Sequence, residues 1–183
     1  MGNPKSPIPV KLFVGMLSPD VGLFDTCTQL LCAEHGPIDY QSEIVRWDFT
    51  DYYREEMGSG ILRKFIFFKR LIDPGMLPSV KHLTNSIEAR FSLTSGKAVR
   101  RRINLDPGYV TEAKVVLAST KDFSHRVYQG QGIYAEVTLH YSTREKSFLS
   151  FEHTYPDFRK KESLDLFNKA REMLRATLCC KGR

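Results

Sequence analysis

Side chains able to bind an ion, move a proton or hold a phosphate gather in five stretches of this sequence. The first is Asp51-Tyr52-Tyr53-Arg54-Glu55-Glu56-Met57-Gly58, where carboxylates beside phenols suit cation binding or acid–base work. Glu56 is its candidate acid or base, and Tyr53 its candidate for orienting a ligand. The second is a polar stripe, Lys81, Asn85 and Glu88, whose spacing puts all three on one helix face. The third is Asn104-Leu105-Asp106-Pro107-Gly108-Tyr109. Asp106-Pro107-Gly108 has the chemistry of a turn, because proline fixes φ and glycine is free to take positive φ. If the chain is instead extended there, Asn104 and Asp106 point the same way and form a small oxygen cluster, with Tyr109 beside it.

The fourth stretch, Ser119-Thr120-Lys121-Asp122-Phe123-Ser124-His125-Arg126, mixes hydroxyls, a lysine, a histidine and an arginine. Each can donate to phosphate or carboxylate oxygens. Thr120-Lys121-Asp122 superficially resembles the guanine-reading element of GTPases, but no G-x-x-x-x-G-K-[ST] loop exists in the chain, so a P-loop enzyme is excluded. The fifth is a strand face, Tyr134, Glu136, Thr138 and His140, with Tyr155-Pro156-Asp157 later in the chain. Taken together, Lys121, His125 and Arg126 would hold an anion, and Glu136 or Glu56 would serve as base, with His125 a third catalytic candidate. Tyr53, Lys81, Asn85, Glu88, Asn104, Asp106, Tyr109, Tyr134, Tyr155 and Asp157 would line the substrate. His125, His140 and His153 lack the spacing of a metal site, and no metal is assigned. Nothing in the residues names a cofactor.

These groups need a scaffold. The 183 residues are 42% hydrophobic and 26% charged, ordinary values for one folded domain. Residues 1–9, with three prolines, read as a flexible leader, 10–178 as the globular domain and 179–183 as a frayed tail. Lys11 to Leu17 reads as a strand. Leu23, Phe24, Cys27, Leu30 and Leu31 recur at helical spacing and stop at Gly36-Pro37. Residues 38–49 alternate as a strand, with Val45, Trp47 and Phe49 on its apolar face, and Ile61 to Leu71 is another. Asp73-Pro74 then opens a helix, with the aspartate as cap and the proline in the first turn.

That order, strand-helix-strand-strand-helix, is the start of a ferredoxin-like unit. The second half is rich in strands. Lys114 to Ser119 is one. Arg126 to Tyr128 turns through Gln129-Gly130-Gln131-Gly132 into a strand whose Ile133, Ala135, Val137 and Leu139 share one face, which commits Glu136 to the other. Phe148 to Glu152 and a helix over about 160–178 complete the chain. The expected fold is α+β, a largely antiparallel sheet with helices packed mainly on one face.

The strings FTDYYREEMG, LTNSIE, NLDPGYV, LASTKDFSHRVY, GIYAEVTL and HTYPDFR resemble an uncharacterised family of small bacterial and archaeal proteins, domain of unknown function 4416. The resemblance runs from Val10 to about Leu174. It implies one domain with the five polar stretches as its signature, and no activity.

The net charge is +6, which suits an acidic partner. A protein that binds or turns over a small anionic, phosphorylated metabolite or nucleotide is the leading expectation. Two alternatives stand beside it. One is a nucleic-acid-binding module using Lys97-Arg100-Arg101-Arg102 and Arg159-Lys160-Lys161, and the other is a structural protein without a pocket. No apolar run is long enough to span a bilayer, so no membrane partner is expected. Four cysteines without metal or redox spacing, and no secretory signal, point to a reducing cytoplasm.

Overall fold

The computed structural model describes residues 2–49, 54–95 and 98–181. The chain opens with strand β1 (Val10–Ser18) and helix α1 (Val21–His35). Asp20 caps α1 by accepting from the Gly22 N–H, and Gly36 ends it at φ 84°, a conformation that glycine adopts without strain. Short strands β2 (Ile38–Gln41) and β3 (Val45–Arg46) and a turn of helix, α2 (Arg54–Met57), lead to the long β4 (Leu62–Ile72). Asp73 accepts from the Gly75 N–H ahead of helix α3 (Leu77–Phe91). A small hairpin, β5 (Leu93–Ser95) and β6 (Ala98–Arg100), precedes β7 (Asn104–Val110) and β8 (Lys114–Ser119). Then follow β9 (Val127–Gly130), β10 (Ile133–Ser142), β11 (Ser147–Ser150) and helices α4 (Pro156–Arg159) and α5 (Lys161–Lys181).

Nine strands form one open, wholly antiparallel sheet in the order β11-β10-β8-β7-β1-β4-β2, with β3 on β4 and β9 on β10. The segment β7-β1-β4-β2 is the strand arrangement of a complete ferredoxin-like unit, and β8 to β11 extend it sideways. The fold is therefore α+β with an antiparallel sheet, as the sequence implies. Alternation in β1 and β4 builds two cores. Leu12, Val14, Met16, Ile66 and Phe68 face α1 and α3 through Phe24, Leu31, Val80 and Ile87. Phe13, Phe65 and Phe67 face the opposite layer, where Phe158 of α4 and Phe167 of α5 pack. The ferredoxin-like helices thus share one face, and the C-terminal helix covers the other.

Three local expectations need correction. Asn104 to Tyr109 is not a turn but the strand β7, fully paired with β1. It can be one because a Cβ on Gly108 would lie 2.3 Å from the Val116 carbonyl and 2.5 Å from the Phe13 ring, so the glycine is there for close approach rather than for turning. In β10 a bulge between Val137 and Leu139 shifts the register, and Leu139 joins the α5 side instead of sharing a face with Ile133 and Ala135. Val45 is 54% exposed, because β3 pairs on one side only. Among the described residues no helix is long and apolar enough to cross a membrane.

Candidate functional site

A break in the sheet makes the site. The β7–β8 ladder runs from the Thr111 N–H on the Lys114 carbonyl (2.8 Å) through Tyr109↔Val116 to Gly108↔Leu117, and stops. Alternate residues of β7 present their peptide groups to β8, so Pro107 is the next that should donate, and proline has no N–H. Two residues further on, helix α3 takes over. Glu88 Oε1 accepts the Leu105 N–H at 2.7 Å, and Lys81 Nζ donates to the Leu105 carbonyl at 2.9 Å. Two side chains of the polar stripe stand where a neighbouring strand would be. Beyond Gly108 the strands part, and a cleft of ≈ 550 Å³ opens between them, within the usual size of small-molecule sites.

Arg63 of β4 forms its floor. The guanidinium lies over Gly15 of β1, where a Cβ would come within 3.1 Å of Nη2, and its Cζ stands 4.5 Å from the centre of the Phe65 ring. Nη2 meets Asp157 at 3.0 Å and Nη1 stands 3.8 Å from Asp106, while the buried Nε has no partner. Lys81 approaches the same Asp106 at 3.7 Å. Both contacts are too long for direct hydrogen bonds. Asp106 Oδ2, the oxygen that faces Arg63, accepts from the Asn104 amide at 2.6 Å, so extended backbone does bring Asn104 and Asp106 together.

At one corner Arg101 is clamped by Glu56 through two hydrogen bonds of 2.9 and 2.6 Å, and also reaches Asn104 and Glu88. Burial pushes the Glu88 carboxyl up, with the neighbouring Lys81 charge pulling the other way. On the far wall Arg126 spends its donors on Glu136 (2.8 Å), Ser119, the Lys121 carbonyl and the Tyr155 hydroxyl. Burial, then the Glu136 charge, raises the Tyr155 phenol. His125 stands behind the wall, 3.2 Å from the same Glu136 oxygen and stacked on His153 at 4.2 Å. Glu136 is thus held on one oxygen by Arg126 and His125 and is almost fully buried. Asp106 is the more open carboxylate, its side chain 29% exposed.

The cleft therefore unites Lys81, Asn85, Glu88, Asn104, Asp106, Lys121, Arg126, Glu136, Tyr155 and Asp157. Glu56 and His125 touch it only through Arg101 and Glu136. Tyr109 instead packs against the α3-side core, where burial raises its phenol. Tyr134 leans on Tyr128 with ring centres 5.3 Å apart. Tyr53 lies outside the described residues. Sequence reasoning missed Arg63, Arg101 as a site residue, Trp47, Leu117, Ala118 and Phe158. Arg63 left a signal, a cation on the same strand parity as the inward-facing Phe65 and Phe67, which is costly to bury unless used.

No cluster of three or more metal-ligating side chains occurs among the described residues. No curated protein and no solved structure matches the chain. A sequence model of the family described as Domain of unknown function (DUF4416) does match, over residues 8–174, from just before β1 into α5, and the chain belongs to that family.

Proposed function

We propose that the cleft binds, and in the presence of a second reactant turns over, a small anionic metabolite of the phosphorylated or nucleotide type. One observation carries this reading. Arg63 and Lys81, both buried, face the cleft with incomplete hydrogen bonding, each beyond direct reach of the Asp106 they share. A desolvated cation with unused donors is expensive, and an oxyanion entering between them would complete both. Asp106, partly open and set between these cations, is the base best placed to work on such a ligand. Arg126 and Glu136 act as a brace for the opposite wall. The basic clusters give the nucleic-acid alternative little support, because Arg101 pairs with Glu56 and Arg102 with Asp20 at 2.6 Å. Arg159 donates to the Thr154 and Glu152 carbonyls. Four free thiols suit a reducing cytoplasm.

Thermal melts across a panel of phosphorylated metabolites test the reading. At least one should raise Tm in proportion to its occupancy, and Arg63→Gln should abolish that rise. If no anionic compound shifts the wild-type protein, the cleft is a structural brace.

A further inference from the structure

The break in the sheet leaves a free strand edge inside the cleft. Along β8 the peptide groups of Val116 and Ala118 face β7, as the Lys114–Thr111 bond and the register require, and the same alternation turns the N–H of Thr120, the first residue past the strand, to that side. Val116 pairs with Tyr109. The Ala118 carbonyl has no donor opposite on β7, because Pro107 carries none, and the Thr120 N–H stands past the last rung, where the ladder has ended and Lys81 reaches the Leu105 carbonyl instead. Ala118 and Thr120 both line the cleft. A carbonyl at one residue and an N–H two residues on, pointing the same way along an extended edge, form an acceptor–donor pair. Across the cleft, the Asn85 side-chain amide lines the α3 wall.

An acceptor and a donor fixed side by side read a rigid planar edge that carries its own donor next to an acceptor. Nucleobases have such edges and sugar phosphates do not. The apolar part of the lining, Trp47, Leu117 and Phe158, suits the flat body of a base, and the volume holds one nucleotide rather than a polymer. We infer that the ligand is a mononucleotide, its base edge hydrogen-bonded to the Ala118 carbonyl and Thr120 N–H, and its phosphate directed to Arg63 and Lys81. This rests on the anion-binding reading of the same cleft and narrows it from anionic metabolites to base-bearing ones.

Calorimetric titration of the full chain separates the two claims. The probes are the nucleoside monophosphates of adenine, guanine, cytosine and uracil, the four nucleosides, ribose 5-phosphate and inorganic phosphate. At least one monophosphate should bind about tenfold or more tighter than ribose 5-phosphate, the usual scale for one or two added neutral hydrogen bonds. Pro107→Ala returns to β7 the N–H that can close on the Ala118 carbonyl, and Thr120→Pro deletes the other half of the pair at an exposed position. Either should remove most of the base preference and leave ribose 5-phosphate affinity within about twofold, since no phosphate contact changes. Ribose 5-phosphate binding as tightly as every nucleotide would overturn the base-edge inference and leave the anion reading standing. Nucleosides binding as well as their monophosphates would do the reverse. Silence from every probe would sink both.

Discussion

At the residue scale, the site depends on a glycine that has no functional group. Gly15 leaves the Arg63 guanidinium room against the sheet, and an added Cβ would sit 3.0 Å from the Phe65 ring and 3.1 and 3.2 Å from Arg63 Nη2 and Cζ. The arginine end is the softer neighbour, so Gly15→Ala should displace the guanidinium toward the cleft. The expected cost is about 1–3 kcal/mol by overpacking, with the ligand-induced Tm rise lost along with it. A variant that melts lower yet keeps its full ligand response would show that Arg63 does not seat the ligand. A second residue-scale effect is remote from the cleft. His35, at the end of α1 against Phe68, is buried with neither ring nitrogen hydrogen-bonded. Burial lowers its pKa, with Glu34 opposing and Arg70 assisting. The unfolded chain then binds the proton more readily than the folded one, so stability falls as pH drops below the ordinary histidine value of about 6.5. His35→Phe should flatten part of the decline in urea midpoint between about pH 7 and pH 5. If wild type and variant decline in parallel, the ring takes up its proton without penalty.

At the element scale, periodicity carried most of the information. Inward phenylalanines of β4 and the stripe of α5 are legible as alternation and helical spacing, and Phe67 and Phe167 are both fully buried. Truncating either to alanine should cost about 3–5 kcal/mol in a two-state urea melt. A loss under about 1 kcal/mol would mean the facing cores repack around the gap. What alternation could not reveal are the places where one residue changes the register or ends a ladder. The β10 bulge depends on how β8 lies beside it, which no run of β10 residues encodes. Asp106-Pro107-Gly108 has the same composition whether it turns or passes straight through a sheet, and only the approach of Phe13 and Val116 decides. The candidate site was half legible for the same reason. The α3 stripe and the Arg126–Glu136 pair follow from spacing and strand facing. Arg63 sits inside an apolar strand, and the β8 edge is backbone, which carries no side-chain signal at all.

At the scale of the whole molecule, the cleft is a seam. On one side stands the ferredoxin-like part, β7-β1-β4-β2 with α1 and α3, which supplies Arg63, Lys81, Glu88 and Asp106. On the other stands the extension built on β8 and β10, which supplies the β8 edge, Arg126, Glu136 and Tyr155. Among the described strands the two halves are joined along the sheet only by the short β7–β8 ladder below Gly108, while α5 packs on the Phe13 and Phe67 face of the sheet. A ligand held from both sides replaces the missing rungs. Its binding should therefore slow amide exchange at the seam, in the 117–126 segment and around Leu105, more than in the β1–β4 centre, whose bonds are already protected. Hydrogen exchange read by mass spectrometry, with any compound that raises Tm, checks this directly. Pro107→Ala supplies the converse, because one added rung should raise the melting temperature of the free protein while reducing the further rise that ligand gives. Protection that appears only on the outer surface, or a proline variant that gains neither stability nor exchange protection of the new amide at position 107, would show that the two halves are already one rigid body and that the opening between β7 and β8 takes no ligand.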